Sequence, residues 1–168
     1  MKSKVEKLVE TLNLSPHPEG GFYRETYRSS GNVSESSLGS KYQGERSYST
    51  CIYFLLTSDN FSAFHKIKQD EIWHHYDGSP IKLHMISAQG EYSVQIIGKD
   101  IENGQLPQYV VEGGCWFGSE VLNENDYSLT GCTVSPGFSF EDFELFSRKE
   151  LIALYPQFDK EITHLTHF

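Results

Sequence analysis

The chain is predicted to fold as a single all-β domain with short helices at its ends, and three observations carry that prediction. Short apolar runs alternate with turn signals along most of its length. Aromatic residues make up 14% of the chain, with 11 Phe and 10 Tyr beside 14 Gly, which suits pleated strands and tight turns better than helices. A length of 168 residues matches one domain. A domain of that size buries roughly 70% of the surface its unfolded chain exposes and folds without disulfide or metal staples.

The elements follow in order. Ser3 and Glu6 form a capping box, and Val5, Leu8, Val9 and Leu12 recur at helical spacing, so the spacing predicts a short amphipathic helix over 4–12. Pro16 and Pro18 end it. Residues 20–28 alternate as a strand. Residues 29–49 are rich in Ser and Gly and are expected to form a long, mobile surface loop. Cys51-Ile-Tyr-Phe-Leu-Leu56 is continuously apolar, as in a strand covered on both faces. Further strands are expected at about 62–67, 71–77, 81–87, 92–98, 108–112, 115–121 and 127–135, divided by turn signals such as Asp77-Gly-Ser-Pro80 and Ser135-Pro-Gly137. Strands at this spacing predict a sandwich or barrel over about 20–146. A second capping box, Ser147 with Glu150, opens a helix over about 148–155 that Pro156 stops. The tail carrying His164 and His167 is expected to be mobile and without a specific role. No repeat or linker divides residues 1–168.

Bulk composition removes several classes of function. With 14 basic against 23 acidic residues the net charge is −9, and such a chain is repelled by phosphate backbones, so nucleic acid is not expected as a partner. No apolar stretch approaches the ~18 residues of a membrane span. The first residues are charged and lack the apolar region of an export signal, which predicts a cytoplasmic protein. Cys51, Cys115 and Cys132 are odd in number and widely spaced, and read as reduced thiols rather than zinc ligands.

The residues that bear chemistry centre on His65 and Glu71. They lie six apart and Gly78 follows seven later, a spacing by which a small barrel aims two polar groups into one cavity. A histidine with an ordinary pKa of about 6.5 can act as general base, and a carboxylate on its far nitrogen would fix the tautomer and raise its basicity. The alternative is a satisfied buried pair. On a regular strand Glu71, Trp73, His75 and Asp77 face one way, and Ile72, His74 and Tyr76 the other. Trp73 is expected inside as an apolar wall; parity leaves His74 open between the pocket and a partner surface. Pro16-His-Pro-Glu-Gly-Gly21 is a tight turn leading into Tyr23, Arg24, Glu25, Tyr27 and Arg28. It reads either as an edge strand facing water or as a rim whose Arg24 or Arg28 holds a phosphate or carboxylate. Phe138, Phe140 and Phe143 read as packing residues, and Asp142 and Glu144 as solvated acids or groups reaching the barrel mouth.

With these residues in view, the chain resembles the cupin superfamily. The first cupin motif, G-x5-H-x-H-x3-E-x6-G, falls on Asp59, His65, Ile67, Glu71 and Gly78; of the second motif, laid on Glu112, Gly114 and Phe117, only the glycine is kept. The stretches Pro16–Arg28, Ala63–His65, Asp70–Gly78, Gly114–Trp116 and Gly131–Glu144 resemble the branch called cupin family 5, formerly a domain of unknown function. A usual Val-Pro-Ala-Gly stretch is here Val111-Glu-Gly-Gly114. The resemblance implies a jelly-roll barrel and commonly a homodimer, and it implies no established reaction. Cupin metal sites take three histidines and a glutamate; here Ile67 and Phe117 replace two of the histidines, so no cofactor is expected. If a divalent metal binds, His65 and Glu71 would hold it, supplemented by His74, His75 or His84. The resemblance to metal-free cupin keto-sugar epimerases suggests a small polar ligand, such as a sugar or sugar nucleotide. In that plan His65 is the base, Glu71 orients it, Tyr76 returns a proton and Arg24 or Arg28 holds an anionic group. Trp73, His74, His75 and Phe117 complete the ligand site. A non-catalytic carbohydrate or nucleotide binding module and a metal enzyme with unusual ligands are the alternatives.

Overall fold

A computed structural model describes residues 2–168. Along the chain run α1 (Lys4–Thr11), β1 (Ser15–Pro16), β2 (Phe22–Arg28), β3 (Asn32–Val33), α2 (Glu35–Leu38), β4 (Arg46–Ser47), β5 (Thr50–Thr57), β6 (Phe61–Lys66), β7 (Asp70–Gly78), β8 (Ile81–Ile86), β9 (Tyr92–Ile97), β10 (Gln108–Val111), β11 (Trp116–Val121), β12 (Tyr127–Ser135), β13 (Glu144–Leu145), α3 (Arg148–Leu154) and α4 (Asp159–His164). Two antiparallel sheets oppose each other. One has the order β1-β2-β5-β12-β7-β10 and the other β13-β6-β11-β8-β9; β3 and β4 form a separate two-stranded ribbon. This is the all-β architecture expected, with short helices outside the sheets.

Local chemistry explains most boundaries. Both capping boxes are formed, Ser3 with Glu6 and Ser147 with Glu150, each closing the amides of a first helical turn. The motif glycine Gly78 closes β7 with φ +84°, and a Cβ there would lie 2.2 Å from the Tyr127 carbonyl oxygen, so no other residue fits without moving backbone. Between the sheets pack Phe54, Leu56, Ile67, Trp73, Leu83, Phe117 and Val134. The outer face of β5 and β12 is covered in part by α1, through Leu8, Val9 and Leu12 against Leu55 and Tyr127.

Two segments differ from the sequence expectation. Residues 29–49 are not wholly a loose surface loop. They contain α2 and the β3–β4 ribbon, and Arg46 and Ser47 are buried. The Arg46 guanidinium makes a two-pronged pair with Asp142, at 2.7 and 2.8 Å, and donates to the Gln43 and Glu45 carbonyls. Asp142 therefore is neither solvated nor at the mouth: it is buried, and also bonded by Gln69 and Lys68. The C-terminal tail is likewise anchored. Ile162 and Leu165 are fully buried against Phe64, Ile86 and Trp116, and the Phe64 amide donates to the Leu165 carbonyl at 2.9 Å. His164 bonds Glu120 at 2.7 Å, and His167 stacks on Phe61.

Candidate functional site

A cavity of about 810 Å³ opens between the sheets, within the size range of small-molecule sites. β6 brings His65 to it, β7 brings Glu71, β5 brings Ile52 and Phe54, and β12 brings Cys132 and Val134. The turn Pro16–Gly21 adds His17 and Glu19, and the segment after β12 adds Phe138, Phe140 and Phe143.

His65 and Glu71 do converge on this hollow, but they are not each other's hydrogen-bond partners. His65 Nε2 lies 3.0 Å from Glu19 Oε2, and Nδ1 lies 2.8 Å from the Ala63 carbonyl oxygen. Glu19, not Glu71, is the carboxylate on the far nitrogen. Its other oxygen accepts from Ser62 Oγ at 2.8 Å. The backbone holds it in place: Gly20 and Gly21 adopt φ +118° and +71°, a Cβ on Gly20 would sit 2.0 Å from the Phe61 carbonyl oxygen, and the Ala63 amide donates to the Glu19 carbonyl. The Pro and Gly of Pro16-His-Pro-Glu-Gly-Gly21 thus lock a histidine and a glutamate against β6. That pair was the missed signal: the turn reads as a rim from its sequence, while His17 and Glu19 within it are the groups that enter the site.

Both ring nitrogens of His65 face acceptors, a carbonyl and a carboxylate, which suits imidazolium. Burial opposes that charge, but the Glu19 charge and hydrogen bond outweigh it and raise the His65 pKa. Glu19 is held below its usual range: burial pushes it up, and His65 with His17 more than offsets this. His17 Nδ1 accepts the Glu19 backbone N–H at 3.3 Å, so the neutral ring carries its proton on Nε2; burial lowers its pKa. Glu71 goes the other way. Burial pushes it up to about 7, against the opposing charge of His65 and with that of Glu19 adding to the rise. The cavity therefore holds two proton carriers, both displaced toward protonation near neutrality.

The remaining expected residues separate by face. Trp73 and Phe117 are buried behind the cavity: Phe117 packs on His65 at 4.1 Å between ring centroids, and Trp73 packs on Phe54 and Phe117. They support the site rather than line it. His75 is buried on the Trp73 side of β7 but lies beyond the cavity, bonded to the Ser79 carbonyl at 3.0 Å. His74 is on the outer face, 3.0 Å from Thr133 Oγ1. Tyr76 is also on the outer face, near Tyr53 and stacked on His74; it is 40% exposed and is not among the residues that line the cavity.

The two arginines part company at a β-bulge. β2 pairs with β5 as Arg24↔Tyr53 and Glu25↔Ile52, then slips one residue to Tyr27↔Cys51 and Arg28↔Thr50. Without the slip, Arg24 and Arg28 would share a face. With it, the Arg24 guanidinium lies over the outer Tyr53 ring at 5.7 Å while still bordering the cavity, and Arg28 turns to the mouth beside Glu25.

A cupin metal set does not fit these residues. Both nitrogens of His65 are engaged, Ile67 and Phe117 are apolar, and His74, His75 and His84 lie elsewhere. Among the described residues no group of three or more His, Cys, Asp or Glu is arranged to hold a metal ion.

Against known proteins, a family model described as "Cupin superfamily (DUF985)", Cupin_5, matches residues 6–146. The chain belongs to that family. Uncharacterized protein YML079W of Saccharomyces cerevisiae is 31% identical to this cupin over 149 residues, 83% of this chain and 74% of the yeast one. Among solved structures, protein SO0799 from Shewanella oneidensis superposes with a TM-score of 0.88 at 39% identity, covering 99% of each chain. A hypothetical protein from Leishmania major does so with 0.88 at 36%, covering 99% of this chain and 100% of that one. Oxalate decarboxylase from Bacillus subtilis matches at a TM-score of 0.54 and 14% identity, over 89% of this chain and 36% of that one, which is a likeness of fold alone. Among the described residues, no helix is long and apolar enough to cross a membrane.

Proposed function

We propose that this cupin binds a small polar, sugar-like molecule in the barrel cavity and moves a proton on it, as an isomerase or epimerase does. One observation carries this reading: His65, with a raised pKa, and Glu71, with a pKa of about 7, border the same cavity between the sheets. The roles differ from those expected from sequence. Glu19 orients His65 and keeps it protonated, so the positive charge of His65 stabilises negative charge developing on a carbonyl oxygen. Glu71, with a pKa of about 7, is ionised in a substantial share of molecules at neutral pH and takes the proton from the carbon next to that carbonyl. Chemistry of this kind needs no redox partner and no metal.

The test is solvent deuterium uptake by a panel of keto- and aldo-sugars, followed by NMR. Uptake that is lost in His65→Ala and in Glu71→Gln supports the reading; no uptake across the panel removes it. A second reading, ligand binding without turnover, is favoured by the aromatic lining of Tyr23, Phe54, Phe138, Phe140 and Phe143, which offers flat faces to an apolar ring surface. A sugar that raises the melting temperature and is recovered unchanged, with no deuterium, supports it.

The outer face of the six-stranded sheet shows Tyr27 and Tyr76 exposed beside half-buried Tyr53, Ile72 and His74. A second copy packed there would make the homodimer, and light scattering on the purified protein measures it. A reducing compartment such as the cytoplasm suits the free thiols of Cys51, Cys115 and Cys132.

A further inference from the structure

Most charged groups bordering the cavity already have an internal partner. The Arg46 guanidinium is taken by Asp142 and by Glu141 at 3.3 Å. Arg24 also borders the cavity, but its guanidinium lies over the Tyr53 ring and meets no carboxylate. Glu19 is matched by His65, and Glu45 accepts from Asn32 Nδ2 at 2.9 Å. That leaves Arg28, the arginine that the bulge turns to the mouth. Its Nε and Nη2 donate to the two oxygens of Glu25 at 2.9 and 2.7 Å, its Nη2 also to the Phe138 carbonyl at 3.1 Å, and its Nη1 to Ser47 Oγ at 3.3 Å. A two-pronged guanidinium–carboxylate pair has the geometry an arginine would use to hold a phosphate or carboxylate of a ligand. Glu25 therefore sits where a ligand's anionic group would bind.

From this we infer that Glu25 is a built-in anion that occupies the arginine fork of the cavity mouth, so that the site selects uncharged ligands bearing hydroxyl or carbonyl groups and rejects phosphorylated and nucleotide-linked ones. An incoming phosphate would have to displace Glu25 and then lie beside its released charge; Arg24, the other lining arginine without a carboxylate partner, has its guanidinium over the Tyr53 ring, 5.7 Å from its centroid. The apolar complement of the same ligand is supplied by Phe138 and Phe140, whose rings lie 5.0 Å apart near the same mouth. This selection deepens the sugar-like reading above, but it concerns binding and needs no turnover.

The experiment uses pyrophosphate as the probe, because it mimics the diphosphate of a sugar nucleotide. Its binding to the full chain and to the variants Glu25→Gln and Glu25→Ala is measured by NMR titration of cavity amides, with sodium chloride at matched ionic strength as the control. The wild type is expected to show no saturable binding at the cavity. Both variants, checked for unchanged melting curves, are expected to bind at least about tenfold more tightly than the wild type, because an arginine fork is released. Introducing Arg28→Met into Glu25→Gln should abolish the gain. Saturable pyrophosphate binding by the wild type at this mouth would overturn the inference. So would folded variants that still fail to bind, since Glu25 would then not be what excludes the anion. Absence of deuterium uptake in the earlier assay would leave this result standing, so the two readings fail separately.

Discussion

Replacing Glu71 by glutamine isolates the most displaced carboxyl of the site. A glutamate whose pKa rises from 4.5 to about 7 on folding binds more protons in the folded than in the unfolded chain across that interval. Stability then falls as pH rises, beginning near the unfolded value and levelling only once the folded pKa has been passed. At about 1.4 kcal/mol per pKa unit, the full displacement amounts to about 3 kcal/mol of lost stability at high pH, of which about 2 kcal/mol falls between pH 5 and pH 8. Glutamine has nearly the same shape and carries no charge, so Glu71→Gln should not lose that amount. His65, whose pKa is raised, favours folding below its unfolded pKa and loses that contribution as pH rises through its folded value, a slope of the same sign. Comparing the variant with the wild type separates the two. The assay is urea denaturation at intervals from pH 5 to pH 8. The stability difference should shift in favour of the variant by about 2 kcal/mol over that range. Parallel curves for the two proteins would show that Glu71 ionises normally, and the proton-transfer reading would lose its base.

Three other perturbations test the supporting structure. Glu19→Gln removes the charge that outweighs burial at His65, so the His65 pKa should fall, and an imidazole NMR titration reads the change directly. Arg46→Met leaves Asp142 buried with only Gln69 and Lys68 as side-chain partners, and should cost about 3 kcal/mol in denaturant melts; a loss under about 0.5 kcal/mol would mean that the 29–49 segment is not pinned there. Phe117→Ala removes a fully buried ring from beneath His65 and should cost about 3–5 kcal/mol, while Tyr76→Phe, altering a group on the outer face, should leave ligand binding at the cavity unchanged in calorimetry.

Much of this cupin is determined by local pattern. Apolar runs, turn glycines and two capping boxes mark the strands and terminal helices, because backbone hydrogen bonding and side-chain alternation act over a few residues. The spacing of His65, Glu71 and Gly78 likewise announces a polar pair inside a barrel, and strand parity places Glu71 and Trp73 on the buried side. Only the tertiary structure decides which groups meet. Glu19 reaches His65 from a turn 46 positions earlier, and Arg46 finds Asp142 across 96 positions, so a Ser- and Gly-rich stretch that looks loose is tied down. The one-residue slip in β2 reverses the expected equivalence of Arg24 and Arg28, since a bulge changes side-chain parity without a mark in composition. The proton states follow from the same cause: an isolated sequence lends Glu71 and His65 their ordinary acidities, and only burial beside particular charges moves them.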